Sequence, residues 1–212
     1  MRRNHPPQLH PSPGGEISNG SLTPGKSRSW TDSPSAAVLA DQPRHQLRTA
    51  ILMAYWLFKS EPEEYSFDDL LAEPRQTTGW DGVRNYQARN YLRDVVQVGD
   101  GVLFYHSNAN PPCIAGIARV VRPGHPDPTA FDPHSKHYDP KSDPERPTWY
   151  QVSIQAVRKL NPPLTLPQLR EIPELAGMEL LRKGSRLSVQ PVTPSEWKII
   201  TNIAGSKTRK AR

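Results

Sequence analysis

Tyr55-Trp56-Leu57-Phe58-Lys59-Ser60 is the stretch on which the fold turns. A short, continuous apolar and aromatic run of this kind suits a strand buried on both faces better than a helix. Ser66-Phe67-Asp68-Asp69-Leu70-Leu71 follows it, where the Ser66 hydroxyl can cap free amides and Asp69 stands at the reciprocal capping position. A short helix is predicted there.

The pattern continues outward in both kinds of element. Asn85 to Val96 spaces Tyr86, Ala88, Leu92 and Val95 as a helix does, and Gly99-Asp100-Gly101 ends it before the strand Val102-Leu103-Phe104-Tyr105. Cys113 to Val121 reads as another strand, with Gly116 marking a bulge or a close backbone approach. Trp149 to Val157 alternates as a half-buried strand. Thr165-Leu166-Pro167-Gln168 and Thr193-Pro194-Ser195-Glu196 each start a helix, and Gly205 is expected to close the last one. Short strands interrupted by short helices, without βαβ periodicity, predict an α+β domain around a small mixed barrel.

The flanks differ in composition. Residues 1–52 are rich in Pro, Ser, Gly, Gln and His and poor in branched apolar side chains, so disorder is expected. Met53, just before the first strand, offers an alternative start that the mass of the native protein tests. The formal charge of +6 belongs to the flanks: residues 1–52 carry six basic and three acidic side chains, and Lys207, Arg209, Lys210 and Arg212 add four positive charges. That leaves residues 53–205 near −1, by +6 less +7, and makes residues 206–212 a basic tail. One cysteine, Cys113, excludes an internal disulfide and a cysteine-rich zinc site and fits a reducing compartment. Met1-Arg2-Arg3 is followed by prolines rather than by an apolar stretch, so no signal peptide is read. The apolar run from Ala50 to Phe58 falls short of the ~20 residues that span a bilayer, and no membrane partner is expected.

Between Pro123 and Pro147 prolines stand at 123, 126, 128, 133, 140, 144 and 147, which argues against helix and central strand alike. This long loop, holding Phe131, Tyr138 and three histidines, is predicted to be an ordered lid shaped by turns at the Asp-Pro pairs 127, 132, 139 and 143.

Three strings carry a family resemblance: Lys59-Ser60-Glu61-Pro62, the long Trp80-Asp81-Gly82-Val83-Arg84-Asn85-Tyr86-Gln87-Ala88-Arg89-Asn90, and Phe104-Tyr105-His106-Ser107-Asn108. Together with Phe131-Asp132-Pro133, Tyr138-Asp139-Pro140-Lys141-Ser142 and Arg186-Leu187-Ser188-Val189, they resemble the EVE domain family, which is related to YTH and other PUA-like domains. The resemblance covers residues 53–205. It implies a PUA-like barrel and a non-catalytic, cofactor-free reader that flips a methylated or hydroxymethylated base of DNA or RNA into an aromatic pocket. A monomer is expected, cytoplasmic in a bacterium and nuclear in a eukaryote.

By that analogy Lys59, Ser60 and Trp80 look like pocket positions. The chemistry agrees, because a flipped base needs a flat apolar surface, worth about 1–3 kcal/mol of stacking, and polar groups at its edge. Trp80 supplies the first and Ser60, Asp81 and Asn85 the second. His106 and Ser107 are expected beside them, and Arg84, Arg89 and Arg186 at the phosphates. Each residue also has a plainer reading: Trp80 as core, Asn85 as a helix cap, and Arg84, Arg89 and Arg93 as a solvated face or as ion pairs with Glu61, Glu63 or Asp94. Trp56, Trp149 and Trp197 are assigned to packing. The runner-up function is a nucleobase- or nucleotide-processing enzyme with His106 as acid or base; a third is a peptide-binding groove. Adjacent His106 and Ser107 point to opposite sides of an extended chain, which disfavours a catalytic pair. His125, Asp127, Asp132, His134, His137 and Asp139 match no regular metal-ligand spacing, and no metal is expected.

Overall fold

A computed structural model of the protein describes residues 53–210, with side chains as far as Gly205. The expectation of disorder for residues 1–52 lies outside the described residues. Six strands form one mixed sheet: β1 (Tyr55–Ser60), β2 (Thr77–Gly79), β3 (Gly101–His106), β4 (Cys113–Pro126), β5 (Tyr150–Thr165) and β6 (Val189–Val192), in the order β2-β5-β4-β3-β1-β6. β1 lies parallel to β3 and antiparallel to β6; every other pairing is antiparallel. The helices α1 (Phe67–Ala72), α2 (Tyr86–Asn90), α3 (Leu166–Arg170) and α4 (Pro194–Lys210) are short except for the last. The chain is α+β, as expected.

β1 is covered on both faces, and the period of two explains how. Trp56 and Phe58 enter one apolar cluster with Phe67, Trp80, Leu92, Phe104 and Ile154. Leu57 enters the opposite cluster with Leu103, Ile114, Leu164, Leu169 and Ile200. Buried Asp100 ties the start of β1 down, accepting from the Ala54 amide at 3.0 Å and from the Trp56 indole at 2.9 Å. Trp197 stacks on Tyr55 at 4.5 Å, a packing role.

The helix starts follow their capping signals. Ser66 and Asp69 close a reciprocal box at α1, Thr165 and Gln168 one at α3, and Thr193 exchanges bonds with Glu196 at α4. Gly116 satisfies both of its readings. The register of β4 shifts across Ala115 on both sides, and a Cβ at Gly116 would stand 2.3 Å from the Phe67 ring.

Three expectations need correction. α4 does not end at Gly205 but runs on to Lys210, because Gly205 is absent from the positive-φ glycines that reverse a chain, and glycine within a helix costs only ~1 kcal/mol. β4 continues through Pro123 into the proline-rich segment, where His125 and Pro126 pair with Gln151 and Tyr150. Prolines are tolerated there because the register with β5 is already broken between Val120 and His125. The helical segment after Asn85 changes at Tyr91 to a π turn, with the Val96 amide donating to the Tyr91 carbonyl. β2 and β6, three and four residues long, are too short to leave a periodic signal.

Candidate nucleic-acid interface

The ends of β1 and β2 open onto a cavity of about 880 Å³, bounded by Lys59 to Glu61, Glu64 and Tyr65, by Thr78 to Asn85, by Ser188, and by Thr129 and Ser135 to His137 of the proline-rich segment. Six sequence-predicted site residues meet there: Lys59, Ser60, Trp80, Asp81 and Asn85, expected in the pocket, and Arg84, expected at the phosphates. Trp80 holds both of its alternatives at once. It is 6% exposed and packs on Phe58 and Phe104, each at 5.2 Å, yet it also lines the cavity. Its backbone amide donates to the Val152 carbonyl at 2.7 Å, which ties this point of the chain to β5. Asn85 is likewise both cap and lining, its side-chain oxygen accepting from the Ala88 amide at 3.0 Å.

The lid is ordered by the turns anticipated at its Asp-Pro pairs. Asp127, Asp132, Asp139 and Asp143 each accept, through Oδ1, the amide two residues on. What latches the lid to the cavity is Arg84. Its Nε donates to the His137 carbonyl at 2.9 Å, one terminal nitrogen to the Asp127 carboxylate at 2.7 Å and to the Val83 carbonyl, and the other to Thr129 and His137. All five guanidinium donors are thereby used. Asp127 is fully buried and also accepts the Gly82 amide at 3.0 Å. Burial would raise its carboxyl, but the hydrogen bonds from Thr129, Arg84 and Gly82 outweigh that and hold it below the ordinary range.

Arg84 is therefore corrected from phosphate contact to lid latch. Arg89 departs in the same direction, since it bonds Asn90 and the Thr148 carbonyl and lies over the rings of Tyr86 and Trp149 at 5.1 and 5.9 Å. Arg93 pairs with Asp94 at 2.7 Å. Arg186 lies on a separate concavity with Gln87 and Tyr91. His106 and Ser107 are also not brought to the cavity lining: His106 Nε2 accepts the Phe67 amide at 3.1 Å, and the Ser107 hydroxyl donates to the Ser60 carbonyl at 3.2 Å. Phe131 and Tyr138 belong to the lid, but its cavity face is made by Ser135, Lys136 and His137 instead. Trp149 packs beneath the lid, its indole donating to Asp139 at 2.7 Å. Among the described residues no group of three His, Cys, Asp or Glu is placed to hold a metal ion.

Several lining residues were not among the expected pocket positions: Tyr65, Thr78, Gly82, Lys136, His137 and Ser188. Gly82 has a steric reason to be glycine. Its φ is +69°, and a Cβ there would come within 2.6 Å of the His137 ring. Lys136 pairs with Glu64, so the lid reaches the loop after β1. The cavity charges balance, with Glu61, Glu64 and Asp81 against Lys59, Arg84 and Lys136. Asp81 is exposed by area but sits within the concavity, where burial among protein atoms and then the negative charge of Asp127 push its carboxyl up. Burial, then Arg84 and Lys136, push the His137 imidazole down. Burial likewise lowers Lys59, against the pull of Glu179. A neutral, partly desolvated chamber with one aromatic wall and polar groups at its rim matches a flat heterocycle better than a phosphate.

The family profile of the EVE domain matches residues 54–203. Human thymocyte nuclear protein 1 is 40% identical over 169 residues, covering 72% of this chain and 74% of that protein. A hypothetical protein from Leishmania major is similar in structure, with a TM-score of 0.69 at 45% identity over 74% of this chain and 97% of its own. Human THYN1 protein, solved in complex with 5-methylcytosine containing DNA, gives a TM-score of 0.67 at 39% identity over 71% of this chain and 97% of its own. A profile match across nearly the whole described domain, joined to a relative of this identity and coverage, means that the chain belongs to the EVE domain family.

Proposed function

We propose that residues 53–205 form a non-catalytic nucleic-acid-binding domain that takes one modified base, methylated or hydroxymethylated, out of its stack and into the cavity walled by Trp80. The observation that carries this reading is the cavity itself: an indole edge accessible in a chamber of about 880 Å³ under a lid latched by Arg84. The binding of 5-methylcytosine containing DNA by a relative of 39% identity supports the same class of ligand. Ser60, Asp81 and Asn85 read the base edge. In a eukaryotic cell the domain acts in the nucleus, in keeping with the name of its human relative.

The competing enzyme reading moves from His106 to Asp81 and His137, the carboxyl and imidazole among the four cavity groups with shifted protonation, the others being Lys59 and Tyr65. Turnover separates the two. Incubation of an oligonucleotide carrying one modified base with stoichiometric protein, followed by mass spectrometry, is expected to return the oligonucleotide unchanged. Conversion that Asp81→Asn abolishes would make the domain an enzyme.

A further inference from the structure

A second concavity of about 600 Å³ shares Lys59 with the base cavity. Its walls carry four cations: Lys59 at the end of β1, Arg170 in the last turn of α3, and Arg182 and Lys183 in the turn before β6. No carboxylate lines it, in contrast to the balanced base cavity. Two acids stand at its margin: Glu179 accepts from Ser185 at 3.0 Å and faces Arg182 at 3.5 Å, and Glu61 accepts from Asn108 at 3.2 Å. Arg182 keeps 76% of its side chain exposed despite that contact, and among the described residues neither Arg170 nor Lys183 forms an ion pair. Four like charges around one depression repel each other unless an anion lies between them. Ser107 and Asn108, at the end of β3, supply polar groups to the same depression.

We propose that this concavity grips the phosphodiester backbone beside the captured base, an inference that rests on base capture in the adjoining cavity. The strand then passes over Lys59, with its base on the Trp80 side and its neighbouring phosphates among Arg170, Arg182 and Lys183. Arginine matches a phosphate through paired N–H donors, and lysine through its point charge. Lys59 lines both depressions and Ser60 only the base cavity, so the junction between base and backbone falls at the end of β1.

The test uses the full chain and a single-stranded oligonucleotide with one modified base, in two versions, one with natural linkages and one with uncharged methylphosphonates flanking that base. Affinities are measured across a salt series for wild type and for the double variant Arg170→Gln, Lys183→Gln. The variant is expected to weaken modified and unmodified strands by the same factor. It is also expected to lower the slope of log affinity against log salt by about 1.4, two contacts at about 0.7 each. Methylphosphonates then cost wild type affinity and cost the variant little. An unchanged slope, with methylphosphonates equally costly to both proteins, overturns the inference. Base capture has its own readout, the ratio of modified to unmodified affinity in wild type; a ratio of one overturns that reading while the slope still decides whether the concavity binds phosphate.

Discussion

Arg84 decides more of this site than any aromatic residue does. A guanidinium four residues beyond a tryptophan in a basic, aromatic string reads naturally as a phosphate contact, yet the fold spends all five donors on Asp127, Thr129, Val83 and His137. The difference is a buried partner 43 residues away, which no local pattern announces. The two readings of Trp80 and of Asn85 are compatible: a side chain can pack or cap with one edge and line a cavity with the other. His106 stands off the cavity lining, its ring nitrogen engaged by the Phe67 amide at the start of α1. Replacing Arg84 by Ala leaves the Asp127 carboxylate, 0% exposed, with only the Gly82 and Thr129 donors. A loss of about 2–4 kcal/mol in unfolding free energy is expected from urea titration, since breaking such a pair strands a charge in the interior. A loss under ~0.5 kcal/mol would mean that the latch is ornamental.

At the scale of elements, the strands and helices with continuous apolar runs or capping boxes were readable, and those defined by pairing alone were not. β1, α1, α3 and the start of α4 carry their instructions within a few residues. β2, β6 and the extension of β4 through Pro126 exist because a neighbour offers a ladder. The lid was legible as an ordered loop, from its Asp-Pro turns, but its cavity face was not, because Ser135 to His137 reach the cavity only through the latch. That segment is predicted to loosen in acid. His137 has its imidazole held below the ordinary 6.5 by burial and by Arg84 and Lys136, with Asp81 and Asp127 pulling the other way. A depressed folded-state value contributes stability that is complete above pH 6.5 and is lost as the pH falls through the folded value. Amide exchange of residues 129–139, corrected for intrinsic rates, is expected to show stronger protection at pH 7.5 than at pH 5.5, and His137→Gln to flatten the difference. Equal protection in the wild-type protein at both pH values would remove His137 from the closure.

Across the whole molecule, charge and recognition are separated. The domain from 53 to 205 is near neutral, and the excess positive charge of the chain lies in its flanks. Attraction from those flanks is blind to base identity and fades as salt rises, so affinity alone says little about the cavity. Discrimination does. No described helix is long and apolar enough to cross a membrane. The decisive measurement is the affinity of the full chain, at about 0.2 M salt where tail contributions are reduced, for oligonucleotides identical but for one base modification, repeated with Trp80→Phe. One modification is expected to bind at least about tenfold tighter than the plain base, about 1.4 kcal/mol, with the preference shrinking in the variant. Equal affinity for every modification, unchanged by Trp80→Phe, would contradict a cavity that reads bases.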